Sequence, residues 1–174
     1  MDILAFILST LGTVCICIPP VLKGKKMKLI LLFVFSANLL VALSYLCTGS
    51  FNGAASCFVG AATSIINYFY DKQQKDIPKW LVCVYAAAFI VVNLLVFKSV
   101  FDLVAMVASL TFIGCIDQKN GAKYRLWTLA NVILWIVYDV ICASYGPLTT
   151  HLIQLGFVIT GIVIHDINKK SLSE

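Results

Sequence analysis

The chain has 174 residues, 61% of them hydrophobic and only 12% charged, with a net charge of +5 and a mean hydropathy of +0.97. That excludes a soluble globular domain, which is about half apolar and covers its surface with charge. It also excludes a membrane β-barrel, whose strands are short and alternate apolar with polar, whereas these apolar stretches run for about twenty residues.

The expected fold is therefore all-α and polytopic, with seven membrane-spanning helices at about 2–20, 27–48, 50–70, 79–97, 99–116, 124–144 and 147–166. At a rise of ~1.5 Å per residue each can cross a hydrocarbon layer ~30 Å thick. The short connections leave no room for a soluble catalytic domain. The first span lacks a basic leader and is followed by "VLKGKKMK" (21–28), so it is expected to stay as a helix with its N-terminus outside rather than be cleaved as a signal peptide. Seven alternating spans put every basic residue but Lys98 on one side, which should be the cytoplasm. The C-terminal "NKKSLSE" then lies inside, and the outer turns "TGSFNG" and "SYGPLT" carry no charge. The positive balance thus speaks of orientation and anionic lipid, not nucleic acid. Seven cysteines without CxxC pairing read as small apolar packing residues.

Spans two and six carry a repeat. A shift of 93 positions aligns Lys26 with Lys119, Ala37-Asn38 with Ala130-Asn131, Tyr45 with Tyr138 and Gly53 with Gly146. Two three-helix bundles (1–76 and 98–170) joined by a linker helix (77–97), with a tail at 171–174, form a 3+1+3 arrangement. Its repeats enter the bilayer in the same direction.

On span three, Gly53, Ser56, Gly60, Thr63, Ser64, Asn67 and Asp71 share an arc of about 100°. That face suits close helix packing or the wall of a polar path. Span five has Asp102 on a face with Ala105, Met106 and Ser109, which the repeat matches in part to Ser9, Gly12 and Thr13. Asp102 reads either as the i,i+4 partner of Lys98 or as a coupling carboxylate. On span six, Trp127, Asn131, Trp135, Tyr138 and Asp139 fall within about 120°. Trp127 and Tyr138 fit an interfacial aromatic belt, whereas Asn131 and Trp135 lie deeper and offer an amide beside an aromatic plane. The equivalent face of span two holds Val34, Asn38, Ala42, Tyr45 and Leu46. The candidate solute site is thus Asn38, Asn131 and Trp135 near the midplane, with Asn67 as a further amide and Tyr45, Tyr138 and Asp139 toward the outside. Asp102 and Asp139 are candidates for proton or cation coupling.

His151 and His165 form no ligand spacing with a third donor, so no metal is expected. No nucleophile motif, glycine-rich phosphate loop or span-seven lysine points to an enzyme, a cofactor or a light-driven protein.

The arrangement, with an asparagine in each half, resembles the SWEET and PnuC group of small transporters. Within that group it is most similar to the YgjV family of bacterial inner-membrane proteins. The detailed similarity lies in "SFNGAASCFVGAATSIINYFYDKQQK" and "LWIVYDVICASYGPLTTHLI". In the second, Trp135-x3-Asp139 stands where that group has Trp-x3-Asn. The resemblance implies two bundles enclosing a solute path alternately open to each side. It also implies passage of a small polar solute such as a sugar, nucleoside or vitamin precursor across the inner (plasma) membrane. The expected partners are that solute and the lipid bilayer, with homo-oligomerisation left open. The competing readings are a non-transporting partner or scaffold of the same fold and, less favoured, a lipid-handling protein.

Overall fold

The computed structural model describes residues 3–22, 27–47, 51–97, 99–142 and 145–167. Among them are seven α-helices and no strand: α1 (Ile3–Cys17), α2 (Met27–Cys47), α3 (Phe51–Lys72), α4 (Lys79–Leu95), α5 (Asp102–Ile116), α6 (Gly121–Ile141) and α7 (Tyr145–Ile162). A 3-10 turn (Pro19–Val21) follows α1, and a π-turn (Val163–Ile167) ends α7. Most of the lysine run at 21–28, Lys98 as the expected partner of Asp102, and the tail from 168 lie outside the described residues.

The boundaries depart from expectation where local chemistry decides. The first helix stops at Cys17 because Pro19 and Pro20 have no backbone N–H to continue the ladder. α6 begins at Gly121 because Asn120 caps it, its Oδ1 accepting from the Ala122 N–H at 2.9 Å. α3 runs on to Lys72 and closes with Gln74 at φ 57° while the Lys75 N–H reaches the Tyr70 carbonyl at 3.0 Å, a left-handed helix stop.

Among the described residues four segments are long and apolar enough to cross a membrane: Ile3–Val21, Met27–Cys47, Gly121–Ile141 and Pro147–Ile167. Helices α4 and α5 are apolar but shorter, at 17 and 15 residues. α3 has the length, yet Ser56, Thr63, Ser64 and Asn67 dilute its apolar character. Large apolar side chains such as Ile3, Trp80, Leu95 and Leu126 are exposed, as a lipid-facing surface requires.

In the packing, α2 lies against both α1 and α3, and α6 lies against both α5 and α7. α4 runs beside α3 and α5, and α1 also touches α7. One apolar core joins Met27, Ile30, Leu31 and Val34 of α2 to Cys115 and Ile116 of α5 and Tyr124 of α6. A second gathers Leu81, Tyr85 and Phe89 of α4 around Ile113. Gly60 lets α2 approach α3, since a β-carbon there would sit 2.6 Å from Asn38 Oδ1. Among the described residues every buried side-chain nitrogen and oxygen has a hydrogen-bond partner, as a medium without water demands.

Candidate functional site

Among the described residues the buried charged side chains, Arg125 and Asp139, both stand on α6 and find their partners on the segment that follows it. Antiparallel helices place residues equidistant from their connection side by side. Asp139 precedes position 145 by six residues and His151 follows it by six. Their side chains meet: His151 Nδ1 lies 2.6 Å from Asp139 Oδ2, an imidazole N–H donating to a carboxylate. Asp139 is only 2% exposed, and a carboxylate at that burial needs such a donor.

Aromatic rings surround this pair. The His151 imidazole is stacked on Trp135, with ring centres 5.7 Å apart and planes 14° apart. Tyr138 meets the same indole edge to face at 5.9 Å, and its hydroxyl donates to Asp102 Oδ1 at 3.1 Å. Tyr45 of α2 lies within electrostatic range of Asp139, so the second helix of the chain borders the cluster. Asp102 is further engaged at the start of α5, where its Oδ2 accepts from the Ser99 N–H at 2.7 Å and the Ser99 hydroxyl accepts from the Phe101 N–H. These two bonds close the turn that leads into α5.

The structure therefore brings together Tyr45, Asp102, Trp135, Tyr138 and Asp139, while the three asparagines bond to other partners. Asn67, 1% exposed, donates to the Ile116 carbonyl at 3.0 Å and accepts from the Tyr85 hydroxyl at 3.0 Å, tying α3 to α5 and α4. Asn131 donates to the Ala108 carbonyl at 2.6 Å and to Thr111 Oγ1 at 3.0 Å, tying α6 to α5. Asn38 donates within its own helix to the Val34 carbonyl at 2.9 Å, against Gly60. The two asparagines matched by the repeat thus have different partners. Trp127 is a packing residue, its ring filling the space beside Gly114.

At the opposite end of the same hairpin stands a second charged group. Arg125, 2% exposed, grips Asp166 with two hydrogen bonds, Nε to Oδ2 at 2.8 Å and Nη2 to Oδ1 at 2.5 Å. Its Nη1 donates to the Leu22 carbonyl at 3.2 Å, and His165 Nε2 lies 2.8 Å from the Val21 carbonyl. The π-turn aims His165 and Asp166 at these partners, and Gly161 allows the contact. A β-carbon on Gly161 would fall 2.1 Å from the Pro20 carbonyl oxygen.

Sequence reading missed His151, which lacked metal-ligand spacing, and counted Arg125 only as a topological charge. The signal for both was the mirror register about position 145, which pairs 139 with 151 and, one residue out, 125 with 166.

The sequence model of the Imp-YgjV family, described as a bacterial inner membrane protein, matches residues 3–168. The chain belongs to that family. An Imp-YgjV protein resides in the bacterial inner membrane, in keeping with the four long apolar segments and the lipid-like exposure of their side chains. No curated protein and no solved structure matches this Imp-YgjV chain. In it a narrow crevice opens beside Met27, Asn67, Asp71, Lys75, Asp117 and Lys119, and an open apolar concavity lies over Leu126, Trp127, Ala130 and Ile133. Neither is lined by the aromatic and acidic cluster, whose centre is filled by the His151 ring.

Proposed function

We propose that this protein carries a small polar solute across the inner membrane and recognises it at the Asp139–His151–Trp135 cluster. The observation behind the reading is a carboxylate held at 2% exposure by a histidine, inside helices otherwise built for lipid. Ionisable groups in such positions are expensive to insert and are a mark of solute or ion pathways. In this reading seven helices form two like-oriented three-helix bundles with α4 as linker, the N-terminus outside and the C-terminus cytoplasmic, as in the SWEET and PnuC group. The sandwiching of α2 and of α6 between their chain neighbours supports it. The apolar core of α2, α5 and α6 with the Arg125–Asp166 pair then closes the cytoplasmic end, and the cluster faces the outer end. Tyr45, Tyr138 and Asp102 complete the solute site, while Asn67 and Asn131 hold helices together.

Uptake by proteoliposomes of a panel of sugars, nucleosides, amines and vitamin-like solutes tests the proposal. A flux above protein-free vesicles, lowered more than about tenfold by Asp139→Asn in a protein that still folds, is the expected outcome. A second reading, a non-transporting scaffold, is favoured by the asparagine bridges and the filled core between α2, α5 and α6. Absence of flux for every solute of the panel would support it.

A further inference from the structure

We infer that the Asp139 site exchanges a proton for an organic ammonium ion, with the His151 imidazolium occupying the place the solute's cation takes. This deepens the transport reading and rests on it for physiological meaning. Asp139 is deeply buried and, among the described residues, has one charge-bearing neighbour at hydrogen-bond distance, His151 Nδ1 at 2.6 Å. A buried carboxylate is stable when one positive charge faces it. The other buried ion on the hairpin, Arg125, is already matched by Asp166, so among the described residues the positive charge facing Asp139 is a proton held on His151, and its alternative is a charge brought from outside.

The surroundings choose the kind of charge. His151 lies flat against Trp135, and Tyr138 stands against the same indole. A carboxylate beside an indole face is a receptor for a soft, weakly hydrated cation, which gains from the ring quadrupole. A metal ion would need several oxygen or nitrogen donors, and the described residues hold no group of three or more His, Cys, Asp or Glu side chains able to bind one. The His151 side chain is 20% exposed, so it can leave the indole by a rotamer change. The other titratable groups around the pair are Tyr45 from α2 with Cys57 of α3 beside it, Asp102 of α5 through Tyr138, and Cys142 beside Tyr138 on α6. None of these brings a competing positive charge.

The exchange balances. An ammonium ion arriving at Asp139 displaces the imidazolium, which releases one proton to water, so one positive charge replaces another. Solute and proton then compete for one carboxylate, and each weakens the binding of the other by the same factor.

The test uses the full chain in detergent and tetramethylammonium, whose charge does not depend on pH. Calorimetric titration should show binding that weakens as pH falls, by up to about tenfold per pH unit, because proton and cation compete for one carboxylate. About one proton should be released per cation bound, read by a pH dye in weak buffer. Tert-butanol, neutral and of similar size, should not bind. Asp139→Asn should abolish binding, whereas His151→Gln should retain it and remove its pH dependence. Since Asp139→Asn can perturb folding, the pH competition in the unaltered protein is decisive by itself. Equal affinity at about pH 6 and about pH 8, or equal binding of tert-butanol, overturns the inference. Uptake of neutral solutes without tetramethylammonium binding overturns the ammonium assignment and leaves transport standing. Cation binding with no uptake of any solute sustains the exchange site and removes the transport reading.

Discussion

The α6–α7 hairpin is fastened at both ends by an acid–base pair, and the two fastenings differ in kind. At the end where α6 begins, Arg125 and Asp166 make two parallel hydrogen bonds, with a third from Arg125 to the Leu22 carbonyl. A guanidinium is always charged, and its planar fork is satisfied on several sides at once, so this end is a fixed joint. At the end beside the α6–α7 connection, Asp139 and His151 share one hydrogen bond, and an imidazole, unlike a guanidinium, can give up its proton. The same helices thus carry a permanent clasp and a titratable one about 21 Å apart along the axis, from fourteen residues at ~1.5 Å each. Shared burial does not mean shared purpose.

The largest expected effect comes from breaking the fixed joint. Arg125→Ala strands Asp166 and unties the Leu22 carbonyl, and should destabilise by about 3–5 kcal/mol. In a detergent melt that corresponds to a fall of about 10 °C. Asp139→Asn sharpens the contrast at the other end. An amide of the same shape can still accept from His151, so the melting temperature should move by no more than about 3 °C while solute flux is lost. A melt that drops as far as that of Arg125→Ala would show the two pairs to be structural equals.

Two glycines of α7 probe the same asymmetry by packing. Gly161→Ala pushes a methyl group into the Pro20 carbonyl at 2.1 Å, which backbone cannot evade cheaply, and should lower stability by about 1–3 kcal/mol. Gly156→Ala meets nothing within 4 Å and should raise stability by up to about 1 kcal/mol through helix propensity. The smallest effect concerns pH. Desolvation at the end of α5 lifts the Asp117 carboxyl above its ordinary range, with Lys119 opposing and Asp76 adding to the rise. The folded state then binds a proton more readily than the unfolded chain, so stability grows as pH falls through that raised value and the penalty is complete above it. Asp117→Asn should remove the dependence and raise the neutral-pH melt by about a degree, read from melts across the acid range.

Helical class, membrane residence and the approximate limits of each helix were legible because twenty-residue apolar runs and short polar connections leave few alternatives. Prolines 19 and 20 and the Asn120 cap adjusted those limits, since capping chemistry acts on one or two residues that a hydropathy pattern averages away. Asp139 and Trp135 stood out as an acid and an aromatic on one helix face. Their partner did not, because His151 lies on another helix and is joined to them by hairpin register rather than by spacing along the chain. The asparagines were singled out as polar residues in lipid. Sequence alone could not show that the Ile116 and Ala108 carbonyls would be aimed at Asn67 and Asn131.

The two clasps also restrict how α7 can travel. Sliding along α6 would break both at once, whereas displacement of His151 from Asp139 loosens only one end and leaves Arg125 and Asp166 in place. α7 is therefore anchored by several bonds where the π-turn meets the Pro19–Val21 turn, whereas beside its connection to α6 a single hydrogen bond sets how closely the two helices lie. Spin labels near Ile153 and Val137 should then drift apart when the histidine is displaced, while a pair near Ile162 and Leu126 keeps its separation.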